Sequence, residues 1–242
     1  MKIKIDKGHT NISYREGDVF VQQKMRNGFN HGIDYSLLKQ FDFVPKLIEN
    51  EFNTIKWEFI EGYEPQINFD NIELIAKQIK IIHNSKLKFP KNNIAARIKS
   101  YRKTFNELKQ NVPVLNDFYR SINQTLAKMD RSTPLHNDLW PFNMIENNGK
   151  IYFVDWEYAT MGDKHFELAY IIESSNMSKD LEQKFLEAYG EYNPLFLLRH
   201  KMLVNYIVIL WVHTQTPAPF NTEMYQQRIY DYAIELKKMT GN

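Results

Sequence analysis

The chain has 242 residues, 43% hydrophobic and 14% aromatic, which is enough to close a core in one large domain or two small lobes and argues against disorder. A net charge of +2, with no basic run and no acidic tail, speaks against nucleic acid or a charged membrane surface as partner. Cysteine is absent, so disulfides and thiolate metal sites are excluded. The start, Met-Lys-Ile-Lys-Ile-Asp, lacks the apolar stretch of a leader, and the most apolar run, residues 206–212, is too short to cross a bilayer. A cytoplasmic protein with no membrane partner is expected.

The opening of the chain reads as strands. Residues 11–14 and 19–21 flank Glu16-Gly17-Asp18, a hairpin turn. Gly8-His9-Thr10-Asn11 precedes them, and a glycine there lets backbone amides approach a phosphate, although P-loop spacing is absent. Residues 34–40 form a short helix and 55–60 a strand, ended by Glu61-Gly62. The composition then turns helical, which puts a lobe boundary near residues 62–65.

Asp70 and Glu73 have capping-box spacing, and Ile72, Ile75, Ile79 and Ile82 mark the face of the helix that follows. Ile94, Ile98, Tyr101, Phe105 and Leu108 mark a second helix, stopped by Asn111-Val112-Pro113. Leu115, Phe118, Ile122, Leu126 and Met129 mark a third. Beyond a central β segment, helices are expected near 165–176, 178–189, 194–213 and 222–239.

That central segment carries the chemistry. Asp138 is followed by Asn143 five residues on and by Asp155 twelve beyond that. Phosphoryl transfer needs few protein groups: a carboxylate to orient the attacking hydroxyl and take its proton, and an amide oxygen with a second carboxylate to hold magnesium on the phosphates. Magnesium keeps waters and takes hard oxygens, so two protein ligands suffice. Trp140-Pro141 puts Asp138 on a loop. Asn147-Asn148-Gly149-Lys150 is a hairpin turn. A two-residue turn at Asn148-Gly149 sets Asn143 opposite Val154; a loop one residue longer sets it opposite Asp155. Directly opposite residues share a sheet face, so joint ligation favours the longer loop unless the strand ends bend.

His136-Asn137-Asp138 through Asn143, then Asp155-Trp156-Glu157-Tyr158-Ala159, resembles the aminoglycoside phosphotransferase and choline kinase superfamily. With Met161-Gly162-Asp163 and Phe166-Glu167-Leu168-Ala169 it is most similar to bacterial choline and ethanolamine kinases. The resemblance implies an α+β, protein-kinase-like fold: a small β-rich lobe at residues 1–62 for nucleotide, and a larger helical lobe at 63–242 for catalysis and acceptor. It implies ATP as co-substrate and Mg2+ as cofactor. It makes Asp138 the catalytic base, Asn143 and Asp155 the metal ligands, and His136 a structural support of the loop. Thr10 and Asn11 resemble the family's first nucleotide-contacting turn, and Glu58, Phe59 and Ile60 its adenine-binding hinge. Glu167 stands where the family usually has Asp. The family's phosphate-binding cation falls near Gln23; Lys24, beside it and facing the other way, is the candidate, with Asp34 as its carboxylate partner.

A quaternary ammonium is held by aromatic faces and a carboxylate. By resemblance Tyr158, Glu173 and Trp211 contact the acceptor, a small cationic alcohol, with Tyr170 or Tyr206 as a further ring. The expected activity is ATP-dependent phosphorylation of choline or a related amino alcohol. A thiamine, amino-sugar or aminoglycoside kinase of the same fold, and a non-catalytic nucleotide-binding module, are the alternatives.

Overall fold

The computed structural model describes residues 2–5 and 10–241. Strands β1 (Lys2–Ile5), β2 (Ile12–Glu16), β3 (Val19–Gln23), β4 (Leu47–Asn50) and β5 (Thr54–Glu58) form one antiparallel sheet in the order β1-β2-β3-β5-β4. The β2–β3 turn falls on Gly17-Asp18 as expected, with Gly17 at φ 63. The short helix over Tyr35–Gln40 is a 3-10 turn. β4, with a register break between Leu47 and Glu49, carries no period-2 signal in the sequence. Gly8 and His9 lie outside the described residues.

The remainder is mostly helical: α1 (Ile72–Asn84), α2 (Ile94–Glu107), α3 (Pro113–Asp117), α4 (Tyr119–Lys128), α5 (Lys164–Ser174), α6 (Lys179–Tyr189), α7 (Pro194–Val212) and α8 (Glu223–Thr240). The isoleucine stripe of α1 is fully buried. The expected capping box is not formed: Asn71 is the N-cap, and Glu73 pairs with Lys184 at 3.3 Å instead. The expected third helix is two. Phe118 caps both α3 and α4, a one-residue break across which the apolar period runs on. α7 is buried nearly all round against α5 and α8, which explains an apolar run long enough to cross a bilayer.

Short strands between α4 and α5 frame the segment that carries Asp138, Asn143 and Asp155. β6 (Thr133–Leu135) pairs with β9 (Thr160–Gly162), and β7 (Met144–Asn147) pairs with β8 (Lys150–Phe153). Tyr63, just past Gly62, exchanges backbone hydrogen bonds with Glu146, so the segment leaving the sheet is pinned to the β7–β8 hairpin.

Candidate active site

The loop from β6 into β7 is locked from behind. Asn137 adopts φ 67, a left-handed conformation that Asn tolerates better than most residues. Its N–H donates to Glu167 Oε1 at 2.7 Å, and its Nδ2 donates to Thr160 Oγ1 at 2.8 Å. Glu167 Oε2 faces His83 Nε2 at 3.0 Å, so the Glu at this family position clamps loop to helix. His136 is wholly buried against Trp156, with Nε2 2.9 Å from the Val154 carbonyl. Burial lowers its pKa, so it stays neutral and donates that hydrogen bond.

Asp138 is thereby fixed. Its Oδ1 accepts from the Tyr170 hydroxyl at 2.6 Å and its Oδ2 from Asn143 Nδ2 at 3.1 Å. Trp140 Nε1 donates to the same Tyr170 oxygen at 2.8 Å. Burial drives the Asp138 pKa up, hydrogen bonds and the Arg97 charge draw it back, and it stands at about 6. That suits a base working near neutral pH.

The register of the β7–β8 hairpin corrects the expectation. The turn has two residues, Asn148 at φ 49 and Gly149 at φ 77, and Asn143 lies opposite Val154, whose N–H donates to the Asn143 carbonyl at 2.9 Å. The strand ends bend instead: Asn143 closes a 3-10 turn, and Asp155 sits at φ 61, ψ 57. A left-handed residue redirects its side chain, which sheet alternation cannot foresee.

Asp155 Oδ1 is buried without a hydrogen-bond partner. Burial and the charges of Glu157 and Asp138 raise its pKa, against a hydrogen bond from Gln22 of β3. Among the described residues no three His, Asp or Glu side chains converge as a metal cluster. The Asp155 carboxylate, with one oxygen unpartnered, and the Asn143 amide oxygen are hard donors of the type that a phosphate-bound magnesium would take.

Glu157 escapes the sequence reading. It is buried, and its Oε2 accepts from Asn11 Nδ2 at 2.9 Å and Asn30 Nδ2 at 2.8 Å, with His31 Nε2 at 3.0 Å. Asn11 is thus anchored beneath the sheet, next to Thr10. Its signal was its place two residues after Asp155, hidden because its partners lie more than a hundred residues away.

The other candidates divide. Lys24 faces inward, but its Nζ donates to Asn50 Oδ1 at 2.6 Å and the Glu51 carbonyl at 2.5 Å. Asp34 does not pair with it: exposed, it caps the 3-10 turn by accepting from Ser36. Phe59 N–H donates to the Asp18 carbonyl, which holds Glu58, Phe59 and Ile60 against the β2–β3 hairpin. The Tyr158 hydroxyl accepts from Asn27 Nδ2 and its ring is covered by Arg97. Glu173 is buried and compensated from within by Tyr232, Asn205 and Arg228, because the helix turns its carboxylate toward α7 and α8. Trp211 belongs to an aromatic wall instead: Trp140 lies 6.1 Å from Tyr170 and 6.5 Å from Phe220, and Phe220 lies 6.4 Å from Trp211. Tyr206, by contrast, spends its hydroxyl on Leu115 and Arg102.

Comparison with known proteins bears on this geometry. The model of the phosphotransferase enzyme family (APH) matches residues 76–199. A LicA homolog of Mycoplasma capricolum subsp. capricolum is 56% identical over 236 residues, covering 98% of this chain and 99% of its own. The structure of choline kinase LicA from Streptococcus pneumoniae superposes with a TM-score of 0.74 at 19% identity, over 98% of this chain and 93% of that one. A structure of LicA in complex with AMP gives a TM-score of 0.71 at 20% identity, over 98% and 91%. At those identities the structural likeness shows a kinase-like fold.

Proposed function

From the premise that this chain belongs to the phosphotransferase enzyme family, we propose that it moves the γ-phosphoryl group of ATP to the primary hydroxyl of a small amino alcohol, choline first. The hydroxyl oxygen attacks the γ-phosphorus, the bond from that phosphorus to the bridging oxygen of ADP breaks, and the hydroxyl proton passes to Asp138. The two hydrogen bonds on the Asp138 carboxylate, from Tyr170 and Asn143, hold it in one orientation for that transfer.

A magnesium ion on Asn143 Oδ1 and Asp155 would neutralise charge on the phosphates. Residues 1–62 form the nucleotide lobe, with Thr10, Asn11 and the 58–60 segment toward ATP. The acceptor's ammonium rests on the wall of Trp140, Phe220 and Trp211, within the negative field of Asp138, Asp155 and Glu157. The relatives named LicA, one described as a choline kinase, support choline over other acceptors.

One observation carries the reading: the unpartnered Asp155 oxygen beside a doubly anchored Asp138, at the foot of an aromatic wall. The test is ADP release from magnesium-ATP with choline, ethanolamine, thiamine and several aminoglycosides. Turnover with choline is expected. Silence with every acceptor overturns the reading, and a strong preference for ethanolamine removes the aromatic wall as the cation site.

A further inference from the structure

We propose that Arg97 is a further catalytic residue, the cation that meets the phosphoryl group on its way from nucleotide to acceptor. The inference rests on the phosphotransfer reading above. Arg97 belongs to the buried stripe of α2, with Ile94, Ile98 and Phe105 and the half-buried Tyr101, and is 5% exposed. Its guanidinium lies 4.5 Å over the Tyr158 ring and 5.9 Å over that of Tyr101. Among the described residues no carboxylate comes within ion-pair distance of it, and its Nε is buried without a hydrogen-bond partner. Burial works against the charge, and the ring faces around it and the Asp138 carboxylate work for it.

A buried cation with empty donors is retained only where something compensates it. Here the surrounding rings and the Asp138 field hold the charge, while the unpartnered Nε leaves the fork open to a phosphate. A planar guanidinium fork matches phosphate oxygens two at a time. The place also fits. Tyr158 follows Asp155 by three residues and is tied by its hydroxyl to Asn27, on the side of the small lobe. The wall that suits a cationic acceptor is a different set of rings, Trp140, Phe220 and Trp211. Lys24, the sheet's own candidate for the phosphate, is already bound to Asn50 and Glu51. Arg97 is therefore the positive charge near Asp138 that is left for the phosphoryl group.

The experiment uses full-length Arg97→Met and Arg97→Lys, with steady-state kinetics in ATP and choline and calorimetric ADP binding. For Arg97→Met, kcat should fall roughly 10^3-fold, in the range of arginines that stabilise phosphoryl transfer. KM for ATP should stay close to wild type, and guanidinium chloride at sub-denaturing concentration should restore part of the rate. Wild-type kcat in this variant overturns the proposal. So does a fall in choline KM at unchanged kcat, which would make Arg97 an occupant of the acceptor site. If Arg97→Met fails to bind ADP, Arg97→Lys decides: it keeps charge and bulk but not the fork, so a clear loss of kcat supports the proposal and wild-type kcat ends it. A wild-type enzyme silent with every acceptor would end the proposed function as well, whereas active wild type with unaffected variants would end Arg97 alone.

Discussion

Asp138 combines an ordinary side chain with an unusual setting. Its carboxylate is partly desolvated, which raises its pKa, yet both oxygens are held by donors that steady the ionised form. Replacing it with Asn keeps the shape and removes the proton acceptor. Asp138→Asn should lower kcat by about 10^2–10^4-fold, the usual contribution of a positioned base, with ADP affinity unchanged by calorimetry. Retained turnover would show that the proton leaves by another route. The motif made this residue legible because Asp138, Asn143 and Asp155 sit within one short stretch of chain. The helper Tyr170 was legible only as a ring, since nothing local says that its hydroxyl reaches back thirty-two residues to Asp138.

Turns and caps set the site one level up. Gly62 adopts φ 155, and a Cβ there would lie 2.3 Å from the Glu146 carbonyl oxygen. Gly62→Ala must therefore push the linker off the β7–β8 hairpin. We expect a loss of about 2–4 kcal/mol in urea unfolding, and a wild-type midpoint would refute the close approach. At the start of α5, burial alone would raise the Asp163 pKa. Hydrogen bonds from the His165 ring and N–H and from the Asp130 N–H, with the His200 charge, instead hold it at about 2. The sign follows from linkage. A carboxyl depressed below its unfolded value stabilises the fold above about pH 4, and that contribution is lost as pH falls toward 2. It amounts to on the order of 1–2 kcal/mol. Asp163→Asn should flatten the stability curve across that window; an unchanged acid slope would place the acid sensitivity elsewhere. The Asn-Gly turn was readable from residue type. The left-handed bend at Asp155 was not, because an Asp in a β run is most simply read as extended.

Across the whole molecule, one buried carboxylate gathers several of the ties between the small lobe and the helical part. Glu157 accepts from Asn11 and Asn30, faces His31, and receives the His31 N–H on its own carbonyl. Glu157→Ala leaves those donors without an acceptor in a buried place. Stability should fall by about 3 kcal/mol and KM for ATP should rise, while Glu157→Gln, which keeps an acceptor oxygen, should lose less. Equal ATP KM in all three proteins would disconnect the clamp from the nucleotide turn.

Sequence alone was enough for the β-then-helical organisation, the stripes of α1 and α2, and three oxygen-bearing residues at kinase spacing. Each is a local property, written in periodicity, turn chemistry or adjacency. Folding decided the rest: that Asp34 caps a turn, that Glu173 is neutralised by Tyr232, Asn205 and Arg228, that Lys24 is occupied, and that Arg97 keeps an unpartnered donor near Asp138. These outcomes depend on which remote groups fill a side chain's hydrogen bonds once water is excluded. Asn11 and Glu157 meet across 146 residues, and no short-range pattern encodes such a meeting.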